Sequence, residues 1–157
     1  MIKKLFGKPP INPFLFFTGK FSGYFIWVLV FRHFIQSGAL LEFSPINTVA
    51  FILFVIGLTL IVISLLNLGK SVSLGVPSEK TKLKTYGLYK FSRNPMYLGF
   101  NLFTISGMLL TLNPLIIAMG IFSIFTYHQI IYGEEQFLRT RFGYDYVKYS
   151  KKVRRYF

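Results

Sequence analysis

Residues 94–133 read NPMYLGFNLFTISGMLLTLNPLIIAMGIFSIFTYHQIIYG and contain no Lys, Arg, Asp or Glu. Asn113-Pro114, near the middle, is a turn signal. The run therefore divides into two apolar segments of roughly 18 residues, each long enough to cross a hydrocarbon core of about 30 Å. Such a hairpin returns to the face it left. It brings Arg93, Asn94 and Tyr97 to the surface that also carries Glu134 and Glu135, although the two groups are far apart in sequence.

Working outward, the 157 residues are 53% hydrophobic and 19% aromatic. A soluble domain of this size has no core large enough to hide that much apolar surface. The expectation is an all-α integral membrane protein forming one domain, 1–157, with about four transmembrane helices at 15–31, 45–68, 95–112 and 114–132. Short cytoplasmic amphipathic helices are expected at the C-terminus. The second span is the clearest, since it holds no charge. The first contains Lys20 and is followed by Arg32-His33. Either Lys20 and Arg32 snorkel to opposite surfaces, or the span shifts to 21–41 and places Arg32 near the midplane. Small-xxx-small packing faces are not obvious, and the oligomeric state is open. Residues 1–13 show no small-residue cleavage pattern, so the first helix is expected to remain.

The formal charge is +13, and its distribution points to a membrane surface instead of a nucleic acid. Lys3, Lys4, Lys8 and Lys20 precede or begin the first span. Lys70, Lys80, Lys82, Lys84, Lys90 and Arg93 lie between spans two and three, and seven basic residues follow span four. Only Arg32 lies on the opposite side. By the positive-inside rule, both termini and the middle loop are cytoplasmic. The same residues attract anionic headgroups. The absence of Cys and the presence of only two His exclude a thiolate nucleophile and an ordinary zinc site, so no metal is expected.

The loop 69–90 is rich in turn residues. Glu134 to Phe142 reads as a short helix stopped by Gly143. Phe142, Tyr146, Tyr149 and Val153 then recur at helical spacing among basic residues, the pattern of an interfacial amphipathic helix.

Each polar residue of the two clusters has a plain structural reading. Glu134 and Glu135 suit the solvated start of a surface helix, Arg93 suits a topogenic charge, and Asn94-Pro95 suits an N-cap with Pro at N1. His128 is either hydrogen-bonded between helices or faces a substrate. Against these readings stands the coincidence of paired carboxylates, an arginine and several tyrosines at the mouth of one bundle.

The run Gly87-x-Tyr89-x-x-x-Arg93-Asn94-Pro95-Met96-Tyr97, followed by Glu134-Glu135-x-x-Leu138-x-x-x-Phe142-Gly143-x-x-Tyr146-x-x-Tyr149, resembles the C-terminal half of the isoprenylcysteine carboxyl methyltransferase family, which is related to phospholipid N-methyltransferases. The resemblance covers about 81–155. It implies a membrane enzyme, an S-adenosylmethionine-dependent methyltransferase, with the cofactor bound at the cytoplasmic face. By position, Tyr89, Asn94, Pro95, Met96, Tyr97 and Glu134 would line the cofactor pocket, closed over by Thr81, Lys82, Leu83 and Lys84. Asn94 stands where the family usually has His. Ile130 stands where the eukaryotic enzymes have a substrate-contacting Arg.

The chemistry of these residue types suits that cofactor. Glu134 can accept from ribose hydroxyls or an ammonium, Arg93 can hold a carboxylate, and Tyr89 or Tyr97 can stack on adenine or face a sulfonium. No Gly-rich dinucleotide turn is present. The expected acceptor is a lipid-like or small membrane-partitioned molecule. With Ile130 in place of Arg, and His128 the nearest group able to become cationic, an uncharged or cationic nucleophile is expected over a prenylcysteine carboxylate. Two other readings stay open: a nicotinamide-dependent reductase of sterol-reductase type, and a non-enzymatic membrane protein that binds lipid or a partner.

Overall fold

A computed structural model describes residues 8–36, 44–69, 75 and 82–156, and shows four helices among them. These are α1 (Pro13–Gln36), α2 (Pro45–Leu68), α3 (Pro95–Thr111) and α4 (Pro114–Lys152), with a 3₁₀ turn at Gly87–Lys90 leading into α3. Each helix opens with proline, whose missing N–H costs nothing in the first turn. Three of the four preceding residues cap conventionally. Asn12 accepts from the Phe14 and Leu15 amides, Ser44 from Asn47, and Asn113 from Leu115 and Ile116. Asn94 caps nothing with its side chain.

Three helical segments are long and apolar enough to cross a membrane: Pro13–His33, Pro45–Leu68 and the one within Pro114–Lys152. This is a membrane protein, and most of α2 turns Ile, Val and Leu side chains outward. At 17 residues, α3 is about 25 Å long and packs between α1, α2 and α4.

The packing uses small residues after all. A Cβ on Gly57 would meet the Gly99 carbonyl at 2.9 Å, and one on Gly99 would meet the Gly57 carbonyl at 2.7 Å, so α2 and α3 cross backbone to backbone. The Ser106 hydroxyl donates to the Ala50 carbonyl further along the same seam. On α1, Gly19 and Gly23 form a small-xxx-small face that receives Thr126 and Ser123 of α4. Without water to drive helix association, close approach of this kind is what holds helices together in lipid.

The described core has two layers. Phe16, Tyr97, Tyr127, Ile130 and Ile131 form one, at the end where α3 begins. Ile26, Val30, Phe103 and Ile116 form the other. Trp27 touches both and donates its indole N–H to Thr104 Oγ1 at 3.1 Å.

Beyond its apolar part, α4 departs from the expected separate short helix, because Glu134 to Phe142 continues the spanning helix without a break. The break falls at Gly143, with φ 49° and ψ −121°, a conformation that L side chains rarely adopt. The chain remains helical to Lys152 and then returns toward the start of α3, where the Arg93 amide donates to the Arg154 carbonyl at 3.0 Å.

Candidate active site at the mouth of the bundle

The hairpin does bring the two clusters together. Tyr97, on the first turn of α3, donates its hydroxyl to Glu134 Oε1 at 2.7 Å. Asn94 donates to Glu135 Oε1 at 3.2 Å. These contacts place two α4 residues, one helical step apart, on two different faces.

The first face carries Tyr127, Ile130, Ile131 and Glu134 and looks into the layer formed with Tyr97 and Phe16. Glu134 is half-buried, and among the described residues the Tyr97 hydroxyl is its one hydrogen-bond donor. Its other oxygen retains acceptor capacity. Ile130 is fully buried here. Lys20 of α1 turns inward instead of snorkelling, toward the ring of Phe16, which belongs to the same layer as Ile130. Lys20 is 9% exposed, its ammonium lies 4.2 Å from the centre of the Phe16 ring, and Glu134 attracts it electrostatically.

The second face carries His128, Tyr132 and Glu135 and meets the returning C-terminal segment. Arg155 grips Glu135 through Nε at 3.2 Å and Nη2 at 2.9 Å, and lies 4.0 Å over the Tyr132 ring. These hydrogen bonds to Glu135 raise the Arg155 pKa above its already high value. Arg93 Nη2 reaches the same carboxylate at 3.4 Å. Asn94 also donates to the Arg155 carbonyl, as does the Ser92 hydroxyl. The work that keeps Asn94 from capping α3 is therefore to tie Glu135 to the tail. His128 Nδ1 lies 2.6 Å from the Tyr156 hydroxyl, with the two rings stacked.

The remaining expected residues are distributed as follows. Tyr89 is buried in the 3₁₀ turn, where desolvation pushes its phenol well above the usual range, and its carbonyl accepts from the Tyr149 hydroxyl at 2.7 Å. Pro95 is buried and Met96 half-buried. Lys82 is exposed, Leu83 is half-buried, and Lys84 approaches the Tyr86 hydroxyl at 3.3 Å; none of the three bonds to Tyr97 or Glu134. Thr81 lies outside the described residues. Sequence reasoning did not single out Lys20, Arg155 or Tyr156 as partners of the site.

A half-buried carboxylate with spare acceptor capacity, an inward-facing ammonium that has no ion-pair partner among the described residues and a layer of tyrosines suit a polar, partly cationic ligand with an aromatic base. These contacts bring the start of α3 and the end of the apolar part of α4 together as a candidate site. The Phospholipid methyltransferase family model matches residues 46–145, and the chain belongs to that family. Similar proteins include the protein-S-isoprenylcysteine O-methyltransferases of Saccharomyces cerevisiae, 39% identical over 77 residues, and of Tribolium castaneum, 28% identical over 131 residues. These matches cover 48% and 81% of this chain, but 32% and 47% of the two relatives.

Proposed function

We propose that this protein is an integral membrane methyltransferase that uses S-adenosylmethionine and acts on a lipid-like or small membrane-partitioned acceptor. The observation that carries the reading is the Tyr97–Glu134 hydrogen bond, which closes the two halves of the motif around one carboxylate. The family match and the names of the similar proteins support it.

S-adenosylmethionine supplies, when bound, a methyl group on an electrophilic sulfonium. The chain's own residues bind and align. Glu134 accepts from a ribose hydroxyl or the ammonium, with Tyr97 fixing its orientation. Tyr89 and Tyr97 offer aromatic faces, and Asn94, Pro95 and Met96 shape the wall. Arg93, committed to Glu135, acts as a positioning residue for that wall. Methyl transfer to a good nucleophile needs alignment more than proton transfer, and alignment can lower a barrier by roughly 7–11 kcal/mol. The acceptor's tail enters from lipid between helices, and α3 makes the fourth crossing.

S-adenosylhomocysteine at about 100 times its dissociation constant is expected to stabilise the detergent-solubilised protein by about 2.7 kcal/mol, with no comparable effect from NADPH. Stabilisation by NADPH alone would replace this reading with the reductase one. The charge distribution supports a cytoplasmic site. A reporter fused after Phe157 that is active only outside the cytoplasm would reverse that face.

A further inference from the structure

Lys20 is a buried ammonium for which the proposed cofactor contacts have no use. Its neighbours define where it points. A Cβ on Gly23 would strike Ser123 and one on Gly19 would strike Thr126, while Phe16 packs with Ile130 and Ile131, and Pro10 lies against Gly133. Helices α1 and α4 therefore run antiparallel, and the Lys20 backbone sits near the level of Thr126. Helical side chains lean toward their own N-terminus. Lys20 thus reaches along Phe16 toward the level of Glu134, in accord with its 4.2 Å contact to that ring.

The ammonium has three donors and, among the described residues, neither a hydrogen bond nor an ion pair; Lys20 and Glu134 attract without closing one. A single aromatic face replaces only part of the hydration that burial removes. An intramembrane charge left in this condition marks a binding site by default. The opposed charges of Lys20 and Glu134 also match, with reversed sign, the carboxylate and ammonium that an amino acid carries on one carbon.

We infer that Lys20 is the anion-binding residue of this site and holds a ligand carboxylate beside Glu134. The inference rests on the cofactor reading above. The carboxylate belongs either to the methionine part of the cofactor or to the acceptor, and the two sources are experimentally separable.

Two ligand pairs, titrated calorimetrically in one detergent preparation, test the assignment. The first is S-adenosylhomocysteine and its decarboxylated analogue, which differ only in the carboxylate. The second is a long-chain alkylthioacetate and its neutral methyl ester. In the wild type the charged member of one pair binds about 10- to 100-fold more tightly, the range expected of a charge-assisted contact. Lys20→Met removes that preference and Lys20→Arg keeps most of it. The pair in which the preference disappears names the source of the anion. A wild type that shows no preference in either pair, or a preference that survives Lys20→Met, overturns the assignment. A wild type that binds neither adenosyl ligand refutes the cofactor reading instead, and the alkylthioacetate pair still decides Lys20. Lys20→Arg, folded and carrying the same charge, guards against loss of binding through misfolding of the methionine variant.

Discussion

Glu134 and Glu135 are neighbours in the chain, yet the roughly 100° between successive helical residues gives them opposite fates. Glu135 is surrounded by Arg155, Arg93 and Asn94 and is 9% exposed at its side chain. Glu134 holds one phenol. A carboxylate saturated by two guanidinium groups has no capacity left for a ligand, and its value lies in pinning the tail and the start of α3 to α4. A carboxylate left short of donors costs stability in isolation. Such a shortfall is tolerated where a ligand completes it. The pair divides one surface into a clamp and a candidate site.

The largest expected effect comes from breaking the clamp. Glu135→Ala strands Arg93 and Arg155, and removing one member of a buried ionic network costs on the order of 3–5 kcal/mol. The lower end is expected here, because the Arg155 side chain is 26% exposed. The variant should unfold at a clearly lower temperature in detergent, with little change in affinity for S-adenosylhomocysteine per folded molecule. Glu134→Gln should behave in the opposite way. It keeps the shape and an acceptor for Tyr97 but removes the charge, lowering affinity for S-adenosylhomocysteine by about 1.5–3 kcal/mol while thermal stability barely moves. Calorimetric titration together with thermal unfolding of both variants reads the contrast directly. Equal and small effects from both would return the acidic pair to a solvated helix surface.

How much of this contrast can be read without the structure depends on how local its causes are. The hairpin is legible because an uncharged run with Asn113-Pro114 at its centre has few ways to fold in lipid, and the meeting of Tyr97 with Glu134 follows from it. The division of labour between Glu134 and Glu135 is not. It depends on Arg155, one of seven basic residues after the apolar part of α4, returning across a backbone break at Gly143. A glycine in sequence announces a break but not the direction the chain takes afterwards. Asn94 looks like the caps at Asn12 and Asn113, and only the tertiary contact with Glu135 draws its side chain elsewhere. Lys20 was visible as a charge inside an apolar segment. Whether such a lysine snorkels or turns inward depends on which helix covers it, and the cover comes from Gly19 and Gly23 admitting α4 so closely. That small-residue pair stands in the sequence as Gly19-Lys20-Phe21-Ser22-Gly23, where a bulky charged neighbour obscures it.

The smallest expected effect tests where the clamp ends. His128 and Tyr156 join through one short contact, Nδ1 to hydroxyl at 2.6 Å, and through stacked rings 6.0 Å apart. Tyr156→Phe removes the first and keeps the second. Loss of one side-chain hydrogen bond at a partly buried position costs about 1 kcal/mol, and the ring still covers His128 against Tyr132. If His128 belongs to the clamp, the variant should lose a few degrees of thermal stability. Its affinity for S-adenosylhomocysteine and its rate of methyl transfer per folded molecule should remain unchanged. Because Ile130 and Glu134 lie on the other face, the described His128 contacts, to Tyr156 and Tyr132, do not reach Glu134. A variant with intact stability but a rate or affinity altered more than tenfold would move His128 across the divide, into contact with the acceptor. The clamp would then end at Glu135 and Arg155.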